Sequence, residues 1–183
     1  MVEVRSKVYL AVFDTDLGLI VAESDNSFQY WSNDDQMAQV LVKSYFKIDN
    51  EFVPIHEFTR EFSDKNYVDG AITIAVDGQE ILTFKHWDLV DQLWCYIAEG
   101  LGKVTKGQVF ETYFPDQPLL LRFEMVSPRC MRVTVGHDSY DVDAKAFIFA
   151  MKRGAKEFFA RMKELYPEAS DTWDRYERAA DAL

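Results

Sequence analysis

Residues 86–102, HWDLVDQLWCYIAEGLG, set Leu89, Val90, Leu93, Trp94, Ile97 and Leu101 on one broad stripe with a 3.6-residue period. A stripe that wide must be buried, and strand-like hairpins flank it on both sides, so a helix packed across a sheet is expected. Asp88 sits where a first-turn carboxylate meets unpaired amides, and Gly100 to Gly102 supply the stop. Asp88, Asp91, Gln92 and Glu99 fall opposite the stripe, which predicts an acidic outer face.

The strands around this helix follow from alternation and turn residues. Ala71–Val76 and Glu80–Phe84 are joined at Asp77-Gly78, a pair suited to a two-residue hairpin, with Ile72, Ile74 and Val76 facing the core. Val8–Asp14 and Leu19–Ser24 form another hairpin around Thr15–Gly18. After the helix come Gln108–Phe114 and a corner, Tyr113–Pro118, stiffened by two prolines that fix φ and extend the residue before them. Leu119–Val126, Met131–Val135 and the strand around Tyr140 and Val142 make a three-stranded meander. One stretch supports two readings. Met37, Ala38, Leu41, Val42 and Tyr45 share a helical stripe behind a cap at Ser32–Asp35, while Val40–Phe46 fits a strand equally. Asp49 to Asp69, with Pro54 and scattered Phe, is expected as a long loop or an exposed strand pair.

Asp143 is placed to cap a long helix with Phe147, Ile148, Met151, Ala155, Phe158, Phe159, Met162 and Leu165 on one side. Lys152, Arg153, Lys156, Arg161 and Lys163 load its second half, and Pro167 ends it. Ser170 caps a last helix over residues 171–180, anchored by Trp173 and Tyr176. No repeat or linker divides the 183 residues. The expectation is one α+β domain: a mostly antiparallel sheet of hairpins and a meander, helices packed mainly on one face, and two C-terminal helices, with residues 170–183 peripheral.

No apolar run approaches the roughly 20 residues that span a bilayer. The opening MVEVRSKVYLAVFD lacks the architecture of a signal peptide, and Cys95 and Cys130 fit buried free thiols, so cytoplasmic residence is expected. The net charge of -11 is regional. Residues 1–120 hold 20 acidic against 9 basic side chains, whereas residues 121–183 hold 11 of each. Such a field disfavours nucleic acid and anionic lipid and speeds encounter with a basic partner.

Few arrangements suit catalysis. Asp14-Thr15-Asp16, after an apolar strand, resembles the opening of haloacid-dehalogenase-like phosphatases. That resemblance implies a nucleophilic Asp14, an acid/base Asp16 beside Mg²⁺, a parallel doubly wound sheet and a distal acidic pair, for which Asp138 and Asp141 are the candidates. As turn residues of a hairpin, the same two acids need no such role. His56, His86 and His137 are isolated, there is no CxxC, and neither Cys95 nor Ser127 has a partner at catalytic spacing. No metal and no cofactor are expected.

Aromatics interleaved with carboxylates are the residue mix of protein interfaces, where rings anchor and acids steer. Tyr30, Trp31, Asp34 and Asp35 make one such cluster. Glu57, Glu61, Asp64, Tyr67 and Asp69 make a second, and Asp88, Asp91 and Glu99 a third. The reading that follows is a non-enzymatic acidic binding protein that neutralises a basic protein such as a toxin domain, in the manner of an immunity protein or antitoxin. The alternatives are a Mg²⁺-dependent phosphoryl-transfer enzyme using Asp14 and Asp16, and a homo-oligomeric structural subunit with Phe-rich faces between copies.

Overall fold

Chain order in the computed structural model, which describes residues 10–14, 19–24, 27–31, 37–62, 64 and 67–181, begins with a meander. Leu10–Asp14 (β1), Leu19–Ser24 (β2), Ser27–Trp31 (β3) and Met37–Ile48 (β4) pair antiparallel in succession. Glu51–Pro54 (β5) folds back on the end of β4 through Asp49 and Asn50, both at positive φ. Asp69–Val76 (β6) pairs with the other edge of β4, and Gln79–Leu82 (β7) and Asp88–Leu89 (β8) pair with β6. The β6–β7 turn has Asp77 at φ 50° and Gly78 at φ 81°, the double positive φ that the Asp-Gly pair predicts.

Helix α1, Val90–Val104, follows. Phe110–Tyr113 (β9), Leu120–Ser127 (β10), Cys130–Val135 (β11) and Asp138–Asp143 (β12) form a second antiparallel sheet in the order β12-β11-β10-β9. Two helices close the chain: α2, Ala144–Leu165, and α3, Ser170–Asp181. The α+β architecture expected from the sequence is thus present, with its strands divided between two sheets.

The helical reading of Met37–Tyr45 gives way to the strand. Val40 and Phe46 are buried and Val42 packs under α2, while Leu41, Lys43 and Tyr45 belong to the other face. Apolar residues on both faces of a strand mimic a helical stripe, and pairing with β6 from Val40 to Phe46 decides the matter. Helix α1 also runs past both glycines expected to stop it. Its end is set at Thr105, whose hydroxyl bonds the Leu101 carbonyl at 3.2 Å, and at Gly107 with φ 75°. Gly100 serves packing instead, because a Cβ there would fall on the Phe110 ring.

Two helices fill the space over one face of the larger sheet. Gly70 admits Val90 of α1 against β6, and Gly154 admits Val42 against α2. Trp94 and Phe158 stack between the helices at 6.2 Å. The smaller sheet meets the later turns of α1 through Phe110 and the start of α2 through Phe123, 5.7 Å from Phe147. Asp143 caps α2 as expected, accepting from the Ala146 amide at 2.8 Å. Helix α3 packs on the other helices, with Trp173 and Tyr176 both stacked on Phe159. Asp14 lies in β1, antiparallel to β2, and all described strand pairs are antiparallel, so these strands do not form the parallel sheet implied by the phosphatase resemblance. Thr15 and Asp16 lie outside the described residues.

Candidate functional site

A groove of about 740 Å³ lies between the middle of β4, the turn after β5 and the second half of α2. It exists because β3 and β5 pair with different parts of one β4 edge: β3 reaches as far as Val40, and β5 takes over from Tyr45. Its base is Val42 and Ser44, one wall is Ile55 to Glu57, and the facing wall is Glu157, Ala160, Arg161 and Glu164.

Arg161 holds the two walls together. Its Nε donates to the Ile55 carbonyl at 3.1 Å, one terminal nitrogen donates to the Phe58 carbonyl, and the other pairs with Glu164. A planar guanidinium suits this, since it places fixed donors on several acceptors at once. Its charge is therefore committed within the fold. Glu57, Glu157 and Glu164 remain exposed around the rim, with His56 3.6 Å from Glu57 and Arg153 3.1 Å from Glu157. Burial raises the Tyr45 phenol above its usual range, a Thr73 hydrogen bond lowers it, and nearby Glu57 adds to the rise.

Tyr45 also belongs to an aromatic patch on the far face of β4. Its ring lies 4.8 Å from Phe84, Phe84 lies 4.5 Å from Phe52, and the Lys47 ammonium sits 3.1 Å above the Trp87 ring. Phe84 is 42% and Trp87 37% exposed.

The residues singled out from the sequence scatter. Glu61 and Asp64 are exposed on the segment leading away from Glu57. Tyr30 and Trp31 pair in register with Ala38 and Met37, but their side chains, and all of Asp34 and Asp35, lie outside the described part of the structure. The acidic outer face expected on α1 is not formed. Asp88 is only 2% exposed and accepts from the amides of Leu89 at 2.6 Å and Asp116 at 3.0 Å, joining the helix entrance to the proline corner. Burial raises its pKa, against the lowering by those amides. Asp91 has a buried Oδ1 with no hydrogen-bond partner among the described residues, and burial pushes its carboxyl up to about 6. Helix α3 packs along this side of α1: the Tyr176 hydroxyl donates to Cys95, one turn on from Asp91, and Glu99 lies 3.9 Å from Arg175. Of the three acids only Glu99 is exposed.

Sequence reasoning missed Ser44, Glu157, Arg161 and Glu164. The spacing of Glu157, Arg161 and Glu164, four and then three residues, marks one helical face and is the signal that was available. Among the described residues no three His, Cys, Asp or Glu side chains gather as a metal set, and no helix is long and apolar enough to cross a membrane. No family model, curated protein or solved structure matches the chain at a significant level.

Proposed function

We propose that this chain is a non-enzymatic, cytoplasmic binding protein that neutralises a basic protein partner, in the manner of an immunity protein or antitoxin that covers a toxin domain. One observation carries the reading. Asp49, Glu51, Glu57 and Glu61 are exposed from the turn before β5 through the segment after it, and none has a Lys or Arg ion pair among the described residues. Several cations of the last third are instead committed to neighbours: Arg122 to Glu111 and Glu124, Arg132 to Asp141, Lys163 to Asp174 and Glu177. Glu57 thus sets negative charge without a Lys or Arg partner on the groove, beside the exposed Lys43, and Asp49, Glu51 and Glu61 extend it along the same segment, where it raises the encounter rate of a cationic surface. Tyr45 lines the groove and continues on the far face of β4 into Phe84, with Trp87 exposed nearby, rings able to anchor a partner.

The test is a titration of the chain against small basic proteins and size-matched acidic ones at low and physiological salt. Binding confined to the basic set, and weakened by Glu57→Lys with Glu61→Lys, supports the reading. Equal or absent binding across both sets overturns it.

A further inference from the structure

We infer that the partner enters the groove as an extended, lysine- or arginine-bearing segment that hydrogen-bonds to the open edge of β4 at Val42 and Ser44. This rests on the binding role proposed above and names the form of the partner.

The Gln39 carbonyl accepts from the Asp77 amide at 2.8 Å, so the odd-numbered residues of β4 turn their amides and carbonyls toward β6. The even-numbered ones face the other edge, where the Ser44 carbonyl accepts from the Ile55 amide at 3.2 Å. On that edge β3 ends its pairing at Phe28 with Val40, and β5 begins at Pro54 with Tyr45. The Val42 amide and carbonyl and the Ser44 amide therefore face the groove with no backbone partner among the described residues. Such groups are normally satisfied in mid-sheet, and a strand laid along an exposed edge is a recurring way for a partner to satisfy them.

Space and charge agree. From Val40 to Tyr45 the edge runs roughly 16 Å at strand rise, enough for a few extended residues. The groove volume of about 740 Å³ falls within the range of sites that enclose a ligand. Side chains of a bound strand would alternate between the two faces of the sheet. Those toward α2 run between Glu57 on one wall and, on the other, Glu157 and Glu164, which they would share with Arg153 and Arg161; this favours Lys or Arg at every second position. Those between meet Leu41, Lys43 and Tyr45, which favours apolar or small residues and disfavours a second cation.

Amide hydrogen exchange on the intact chain tests this, with an alternating lysine–threonine peptide as probe and a glutamate–threonine peptide as control. With the lysine peptide at ten times its Kd, exchange at Val42 and Ser44 slows about tenfold, while Lys43 and Tyr45, already bonded to β6, do not change. Glu157→Lys with Glu164→Lys, both exposed, weakens that peptide without loss of fold. Salt-sensitive peptide binding with no protection at Val42 and Ser44 overturns the extended mode and leaves the basic-partner reading standing. If neither the peptide nor any folded basic protein binds, the reading fails and this inference with it.

Discussion

Trp94 donates its indole N–H to Ser44 Oγ at 3.0 Å, and both residues are buried. This bond joins α1 to β4 directly beneath the groove. Removing the hydroxyl leaves a buried donor unmatched, a cost of about 1–3 kcal/mol. Ser44→Ala is therefore expected to lower stability by that amount in urea titration, and Ser44→Ala combined with Trp94→Phe to lower it by less than the two single effects together.

Asp91 makes the fold pH-sensitive in an unusual direction. Its folded pKa is raised by burial from 3.8 to about 6, so its contribution to stability is fully present below pH 4 and is lost as pH rises through 6. The loss is on the order of 3 kcal/mol, since each unit corresponds to about 1.4 kcal/mol. Asp91→Asn keeps the shape without the charge. It should stabilise the chain at pH 7, with little effect at pH 4, in thermal melts at the two values.

Gly154 sets how closely α2 approaches β4. An added Cβ would lie 2.8 Å from Val42 Cγ1 and 3.0 Å from Trp94 Cη2. Alanine gains about 1 kcal/mol in helix propensity, but overpacking against a paired strand and a hydrogen-bonded indole costs about 1–3 kcal/mol. Gly154→Ala should be net destabilising, measured by denaturant midpoint, and should push α2 away from β4, widening the groove.

Cys95 is expected to be inert in the folded chain. Burial pushes its thiol up to about 12, with Asp91 adding to the rise, so little thiolate forms near neutrality. Thiol titration with a disulfide reagent should show Cys130 reacting first and Cys95 only on unfolding. Truncation before Ser170, which uncovers this side of α1, should bring Cys95 into the fast phase.

Much of the fold was legible because its signals are local. Asp77-Gly78, the proline corner at 113–118 and Asp143 each fix a turn or cap with their own atoms. What was illegible depends on partners distant in sequence. Tyr45, Leu41 and Met37 cannot be told from a helical stripe until β6 pairs with β4. Asp88 and Asp91 resemble a solvated face until Asp116 and α3 cover them. The groove itself is a gap left by the unequal reach of β3 and β5, and no residue in it announces that gap. Its acidic side was foreshadowed by Glu57, Glu61 and Asp64, but its α2 wall was hidden among the lysines and arginines of residues 152–163.

The most direct measurement is the association rate of the chain with a small basic protein as ionic strength is raised, for the natural sequence and for Glu57→Lys with Glu61→Lys. The expected rate falls steeply with salt, and the variant is slower by roughly tenfold at low salt with a flatter dependence. A rate indifferent to salt and unchanged by the two substitutions would contradict it.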